Sequence, residues 1–497
     1  MLRDEGIPRA LLVLAIALTA AWILFASFRP GGSVDLWWTL RVGDHIRAHG
    51  EVPQTTRWTM DAVQELPYVA HGWMATVVFS AVADRFGLDA LPLVPGLLGL
   101  GVLGVSLWIA RRMRVPPILG AGLAALALYP MLPRLINRAE SFGYLFFALA
   151  LGVIAAYLSR RREQTLAWLV PLAAVWANFH GSFLILLGLP PLLAAGLVLD
   201  EWRAAGFRPG SFGPSLLRTP LPALGLVWLG CVGATLLNPY GSRLLASTLE
   251  QSSSPLWKLL IEEWRPLYAG DSVPLRFWLP LAASVAALVA GHRRISALSL
   301  LLALVCFGLA ISSYRHVSLV GLGSLLLLAD FAKGVELDRR QGIAFGVALS
   351  LLLAAVGGRA ALKRDWASRS VSRNPSLYVT PRAIQFIRRN LRGNVLNDWS
   401  VGGLLIYFAY PQVRVAIDSR ADPYPPAYVQ AWWHAISGSA EDTLRFVDRY
   451  DIDHIIVAQR IFSPHFEPKL DALTGFRVVY SDGRLVVLSR GPARRAE

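Results

Sequence analysis

The polar side chains that could do chemistry stand at the ends of long apolar runs. Asp35 opens the stretch DLWWTLRVGDHIRAHGEVPQTT, and His71 follows it in HGW. Arg134, Arg138 and Glu140 crowd into the short segment RLINRAE, while Asn178 and His180 lie in WANFHGSF. Arg315 is the centre of Tyr314-Arg315-His316, and Trp264 sits among Glu262, Glu263 and Arg265. An acid at a membrane surface is where a general base would meet an amphiphilic substrate. Arginine forms forked bonds to phosphate oxygens, and an indole can stack on a sugar ring. Each residue also has a plainer role open to it. Asp35 suits a helix N-cap, which Ser33 could share, and Trp37 and Trp38 suit interfacial anchors, as does Trp264. Arg134, Arg138 and Glu140 could pair with one another. His180 could be structural, although ionisable groups at membrane depth are functional by default.

The elements that must position these residues are transmembrane helices. Of 497 residues 55% are hydrophobic and 16% are charged, against roughly 25% charged in average soluble chains. Continuous apolar runs span roughly 8–28, 88–110, 116–133, 141–158, 164–179, 181–199, 220–238, 274–291, 295–311, 315–331 and 342–360. A helix needs about 20 residues to cross ~30 Å of hydrocarbon, so about eleven crossings are expected. The net charge of +15 does not indicate nucleic acid, because the arginines cluster between apolar runs, where they encode topology. Arg3/Arg9, Arg111/Arg112/Arg114, Arg160–Arg162, Arg203/Arg208/Arg218, Arg293/Arg294 and Lys333/Arg339/Arg340 mark the cytoplasmic side. Residues 71–86, with Trp73 at one end and Asp84–Arg85 at the other, read as an interfacial helix rather than a crossing. The first run then reads as a retained signal anchor with a cytoplasmic N-terminus, and the C-terminus falls outside. Cys231 and Cys306 both lie inside apolar runs, so no disulfide framework or cysteine metal site follows.

The outer side receives residues 30–87, residues 239–273 and everything after about 361. Residues 36–49 have the spacing of an amphipathic helix that Gly50 and Pro53 terminate. Residues 361–379 are polar and read as a linker after a membrane domain over 1–360. From 380 to 497 the period changes. PRAIQFIRRNL suggests a helix with Pro381 in its first turn. NVLND, VRVAID, HIIVA, FRVVY and LVVLS suggest short strands. This is a small extracytoplasmic α/β domain, in which Asp418, Arg420 and Asp422 after a strand could bind a ligand or brace a turn.

The block from Asp35 to Thr56, followed by HGW and an interfacial helix, resembles bacterial membrane proteins of the GT-C glycosyltransferase superfamily. The layout over residues 8–163 is similar to the lipid A aminoarabinose transferases and protein O-mannosyltransferases. The C-terminal block NDWSVGGLLIYFAYPQVRVAIDSRADPY (397–424) resembles a bacterial branch of the same superfamily. The resemblance implies a polytopic helical enzyme of the bacterial inner membrane that takes its sugar from a polyprenyl-phosphate carrier. The acceptor would be an envelope lipid, glycan or protein. It further implies that Asp35 is the base and that Glu140 takes the place of a second-loop acid. Arg134, Arg138, Arg315, His180, His71 and Trp264 would contact substrate. Two departures stand out. Leu36 replaces a second acid after Asp35, so no DxD metal motif is evident, and Gly72 stands where related segments carry an acid after the histidine. A divalent metal is therefore left open. A polytopic transporter or lipid flippase, or a non-catalytic envelope assembly protein, are the competing expectations. Transporters usually show internal repeats and broken helices at mid-membrane, and the polar residues here gather at outer helix ends.

Overall fold

A computed structural model describes residues 8–28, 33–270, 272–362, 370–373, 376–420 and 423–491. Arg3, Asp422, residues 29–32 and residues 363–369 and 374–375 of the expected linker lie outside the described residues. The chain divides into two compact units. The first comprises Met1–Phe28, Pro92–Leu245 and Ser254–Arg364; the second comprises Arg29–Leu91, Ala246–Ser253 and Asp365–Glu497.

The first unit is a helical bundle. Seven helices are long and apolar enough to cross a membrane: Arg9–Ser27, Leu88–Arg112, Glu140–Arg160, Gly181–Ala204, Leu275–Arg294, Tyr314–Ala332 and Arg339–Gly358. The pair Pro209–Arg218 and Leu221–Thr235, bent by 59°, makes eight if counted as one span. Pro220 stands at the bend, where its ring removes a backbone donor and clashes with the preceding turn. The other three apolar runs are also helical but shorter. Pro117–Leu128 and Ala297–Ser312 are single short helices, and 164–179 splits into a 3₁₀ turn (Glu163–Trp168) and a helix (Leu169–Phe179). Burial differs sharply among the long helices. Of the apolar windows, 72% of Glu140–Arg160 and 83% of Tyr314–Ala332 is buried, against 22% of Leu275–Arg294 and of Arg339–Gly358. The first two are thus the core of the bundle. The outer helices leave Val285, Val289, Leu351 and Leu352 exposed, as a lipid-facing surface requires. Both core helices begin at charged segments, with Glu140 in one and Arg315 in the other.

The second unit carries a five-stranded sheet of order β2-β1-β3-β5-β4. The strands are β1 (Gly393–Asn397), β2 (Val413–Val415), β3 (His454–Ala458), β4 (Phe476–Ser481) and β5 (Leu485–Arg490). β1 pairs in parallel with β2 and β3, while β5 runs antiparallel to β3 and β4. Parallel pairs need crossovers, and Trp399–Phe408 supplies the one between β1 and β2. Thr380 caps the helix Pro381–Asn390 by accepting from the Ala383 N–H. The first-loop segment joins this sheet at its β2 edge: the Met60 N–H donates to the Val415 carbonyl at 3.0 Å. Arg414 pairs with Asp61 at 2.7 Å beside that bond.

Two first-loop helices complete the unit. Leu36–His49 ends at Gly50, whose φ of 71° is the left-handed C-cap that glycine adopts without strain. Trp73–Phe86 is 14 residues long and is not among the candidate spans. It lies against the first helix, tied by Arg47 to Asp84 at 2.7 Å and by Ser80 to Asp44 at 2.6 Å. The close packing around the Trp399–Phe408 helix depends on two adjacent glycines. A methyl group on Gly402 would lie 2.1 Å from the Ile417 carbonyl oxygen, and one on Gly403 would lie 3.3 Å from the Val34 oxygen and the Trp38 ring. The helix therefore touches both the start of Leu36–His49 and the segment after β2. Trp37 packs on Tyr407 and Phe408 with ring centroids 5.2 and 4.8 Å apart. Gly402→Ala should cost about 1–3 kcal/mol, the usual range for overpacking, and thermal unfolding of the purified chain checks it. An unchanged midpoint would contradict the close approach.

Candidate active site

Asp35 immediately precedes the helix Leu36–His49 but does not cap it with its side chain. The cap-like contact comes instead from Ser33, whose hydroxyl accepts from the Asp35 N–H at 3.2 Å. The half-buried Asp35 carboxylate is engaged elsewhere. Its Oδ1 accepts from the Ser419 hydroxyl at 2.5 Å and from the Trp38 indole N–H at 3.3 Å. The same indole also donates to Ser419 Oγ at 3.1 Å, so the three side chains close a small ring of bonds. His71, in the same unit, has Nδ1 3.3 Å from the Thr248 hydroxyl.

Ser419 lies between Asp418 and Arg420, which form a fully buried ion pair. Arg420 Nε and Nη2 reach the two Asp418 oxygens at 2.9 and 2.6 Å, and Nη1 donates to the Thr56 carbonyl at 2.9 Å. The Tyr424 hydroxyl donates to Asp418 Oδ2 at 2.7 Å, and the Arg420 N–H donates to Oδ1 at 2.9 Å. The guanidinium also lies over the Tyr68 ring at 4.9 Å. Burial alone would lower the Arg420 pKa, but the Asp418 carboxylate raises it far above the usual arginine range. Of the two roles open to this pair, its contacts are those of a brace.

The first unit holds a second charged cluster. Glu140 accepts from Arg134 Nε at 2.9 Å and from the Tyr144 hydroxyl at 2.6 Å, and Arg134 Nη2 also donates to it. Arg134 Nη1 reaches Glu263 at 2.8 Å, and Arg138 Nη1 lies 3.2 Å from both Glu263 oxygens. Arg315 stacks over the Trp264 ring at 4.8 Å. Backbone bonds hold the segments together, with the Tyr314 N–H donating to the Arg265 carbonyl at 2.9 Å. Burial alone would raise the Glu263 pKa, yet the charges of Arg138 and Arg134, with Arg315 behind them, hold it well below the carboxylate range. Three arginines against two acids leave these five side chains with one net positive charge, 3 − 2 = +1.

His180 is used differently: its Nδ1 accepts from the Ser182 N–H at 3.1 Å and caps the turn Gly181–Phe183. The Asn178 amide donates to the Ala174 and Leu237 carbonyls at 2.8 and 2.9 Å. The sequence-derived residues thus fall in two places. Arg134, Arg138, Glu140, Trp264 and Arg315 come together in the first unit, which also contains His180; Asp35 and His71 belong to the second. Tyr144 and Ser419 carry no signal in the sequence, Trp38 reads there only as an interfacial anchor, and Glu263 only as an acid beside Trp264. Among the described residues, no three His, Cys, Asp or Glu side chains gather as a metal site. The described partners of Asp35 Oδ1, Ser419 and Trp38, are hydrogen-bond donors.

With this geometry the fold can be placed. No protein-family model and no curated protein matches the sequence. Solved structures do match: the chain has the fold of the GT-C membrane glycosyltransferases and is a multi-pass helical membrane protein. One neighbour is the oligosaccharyltransferase AglB from Archaeoglobus fulgidus, determined with an inhibitory peptide and a dolichol-phosphate. Its TM-score is 0.60 at 12% identity, over 98% of this chain and 75% of that one. Another is ArnT from Cupriavidus metallidurans bound to undecaprenyl phosphate, with a TM-score of 0.52 at 16% identity over 97% of this chain and 98% of that one. A third is the arabinofuranosyltransferase AftD from Mycobacteria, at TM-score 0.56 and 15% identity, of which this chain spans 40%. At these identities the likeness is one of fold.

The depressed Glu263 pKa has a stability consequence with a definite sign. Its contribution is present above the unfolded carboxylate range of about 4.3 and is lost as pH falls below it. The unfolding midpoint of the wild type should therefore drop more steeply than that of Glu263→Gln as pH is lowered below about 4.3. Parallel curves would show that the Arg134–Glu263–Arg138 contacts do not contribute to stability.

Proposed function

We propose that the chain is a bacterial inner-membrane glycosyltransferase. It moves a sugar from a polyprenyl-phosphate carrier to an extracytoplasmic envelope acceptor. The observation that carries this reading is the pairing of a GT-C fold with an acid at the head of the first loop, Asp35, whose carboxylate is turned to Ser419 and Trp38 rather than used as a helix cap. In this reading all eleven apolar runs cross the membrane, with the N-terminus in the cytoplasm. Residues 380–497, after the linker 361–379, then lie outside the cytoplasm.

The reaction needs a proton acceptor and a place for the leaving phosphate. Asp35 removes the proton from the acceptor hydroxyl as that oxygen attacks the anomeric carbon. The bond from that carbon to the phosphate oxygen breaks, and polyprenyl phosphate departs with the electron pair. A positioned general base typically contributes 10²–10⁴-fold. In the first unit, Arg138 and Arg315 supply charge for the phosphate. Stacking on Trp264 engages the face of the Arg315 guanidinium, and its N–H donors lie in its plane, suited to phosphate oxygens. Glu140 acts through Arg134, which it grips together with Glu263, and so holds the charge of this segment in place. Trp264 then serves as a platform for Arg315, and His71 and His180 are secondary candidates for substrate contact.

Asp35→Asn should lower transfer from radiolabelled undecaprenyl-phosphate sugars to envelope extract by about 10²–10⁴-fold while leaving donor binding within about twofold. Transfer at the wild-type rate would remove Asp35 as the base. Separately, Arg138→Ala should weaken binding of undecaprenyl phosphate by about tenfold or more, as expected for losing a charge-assisted contact. Native mass spectrometry of the purified chain checks it.

A further inference from the structure

We infer that Ser419 is the positioning residue for Asp35, with Trp38 as its second support, so that the turn after β2 completes the catalytic carboxylate. This rests on the reading of Asp35 as the base. Ser419 Oγ donates to Asp35 Oδ1 at 2.5 Å and receives the Trp38 N–H at 3.1 Å. Trp38 reaches the same Oδ1 at 3.3 Å. Both donors converge on one carboxylate oxygen, which fixes the rotation of the group about its Cβ–Cγ bond and so the direction of the other oxygen. A terminal carboxylate torsion is otherwise broad.

The surroundings show that Ser419 is itself held. Its neighbours Asp418 and Arg420 are each fully buried. Their backbone is fastened at both ends, by the Tyr424 hydroxyl to the Asp418 N–H at 3.2 Å and by Asp418 Oδ1 to the Arg420 N–H at 2.9 Å. A turn clamped on either side presents its middle hydroxyl in one direction. The helix bearing Trp38 is fixed in turn by the close approach of Gly403, where a methyl group would lie 3.3 Å from the Trp38 ring. A site whose groups must hold their geometry within about half an ångström relies on such supporting contacts. A serine whose only task was to close the turn would have no need to reach a residue 384 positions away.

The test uses the purified full-length chain in lipid nanodiscs. The probes are a panel of undecaprenyl-phosphate-linked radiolabelled pentoses and hexoses, with envelope extract as acceptor. Ser419→Ala should lower kcat about tenfold or more, the size expected for one hydrogen bond to a charged group. The donor KM should stay within about twofold and the unfolding midpoint near that of wild type. Ser419→Thr, which keeps the hydroxyl, should stay within about threefold of wild type. Trp38→Phe should show the same loss in kcat as Ser419→Ala, and it keeps the question answerable if the alanine variant folds poorly. Wild-type kcat in both Ser419→Ala and Trp38→Phe, or a loss confined to KM, would overturn the positioning role while leaving the base reading intact. Full activity of Asp35→Asn, or a wild type that turns over no donor in the panel, would instead overturn the base reading and this inference with it.

Discussion

The second unit is organised around one buried ion pair, Asp418 with Arg420. Two charges out of water cost several kcal/mol each in desolvation, and their attraction repays this only when every remaining donor and acceptor is met. Here the requirement is satisfied by Tyr424, by the backbone of Arg420 itself and by the Thr56 carbonyl of the first loop. The pair therefore adds little net stability but tolerates few geometries. Removing one partner would strand a buried charge, typically at about 3–5 kcal/mol. Because one of the acceptors belongs to the first loop, the pair also decides how that loop meets the sheet, next to the Met60–Val415 bond. The position of Ser419, and through it the orientation of Asp35, follows from this constraint.

The first unit uses charge in another way. Its cluster of Arg134, Arg138, Glu140 and Glu263 is only partly buried, with side-chain exposures between 12% and 26%. Solvent can still screen it, so its contribution to folding is modest. With Arg315 included, the five side chains retain one surplus positive charge beside the starts of the two most buried candidate spans. The cluster's arginines sit on short turns tied by Glu140 and Glu263, and an excess arginine held this way is suited to an anion that arrives from outside the protein. The two clusters thus divide the labour between holding a geometry and presenting a charge.

Much of the helical architecture was legible because its signal is local. Apolar runs, the cap at Gly50 and the 14-residue length of Trp73–Phe86 are read within one segment. The GT-C likeness rested on the same local pattern around Asp35, and the solved neighbours share that fold. The span lengths were less legible, since hydropathy does not register the bend near Pro220 or the 3₁₀ turn at Glu163–Trp168. The partners of Asp35 were invisible. A serine in IDSRADPY looks like any turn residue, and only the fold brings it 2.5 Å from an acid in the first loop. Glu263 was passed over in favour of Trp264 because its arginine partners lie more than a hundred residues earlier. His180 shows the opposite case, a polar residue at a helix end whose ring closes its own turn.

Group transfer and movement of an intact lipid differ in the fate of the phosphate. Mass spectrometry of reconstituted protein supplied with a polyprenyl-phosphate sugar and envelope extract would follow carrier and sugar together. A transferase releases free polyprenyl phosphate in equal amount to the sugar gained by the acceptor, and that is the expected result. Recovery of the donor intact, merely relocated across the bilayer, would contradict it.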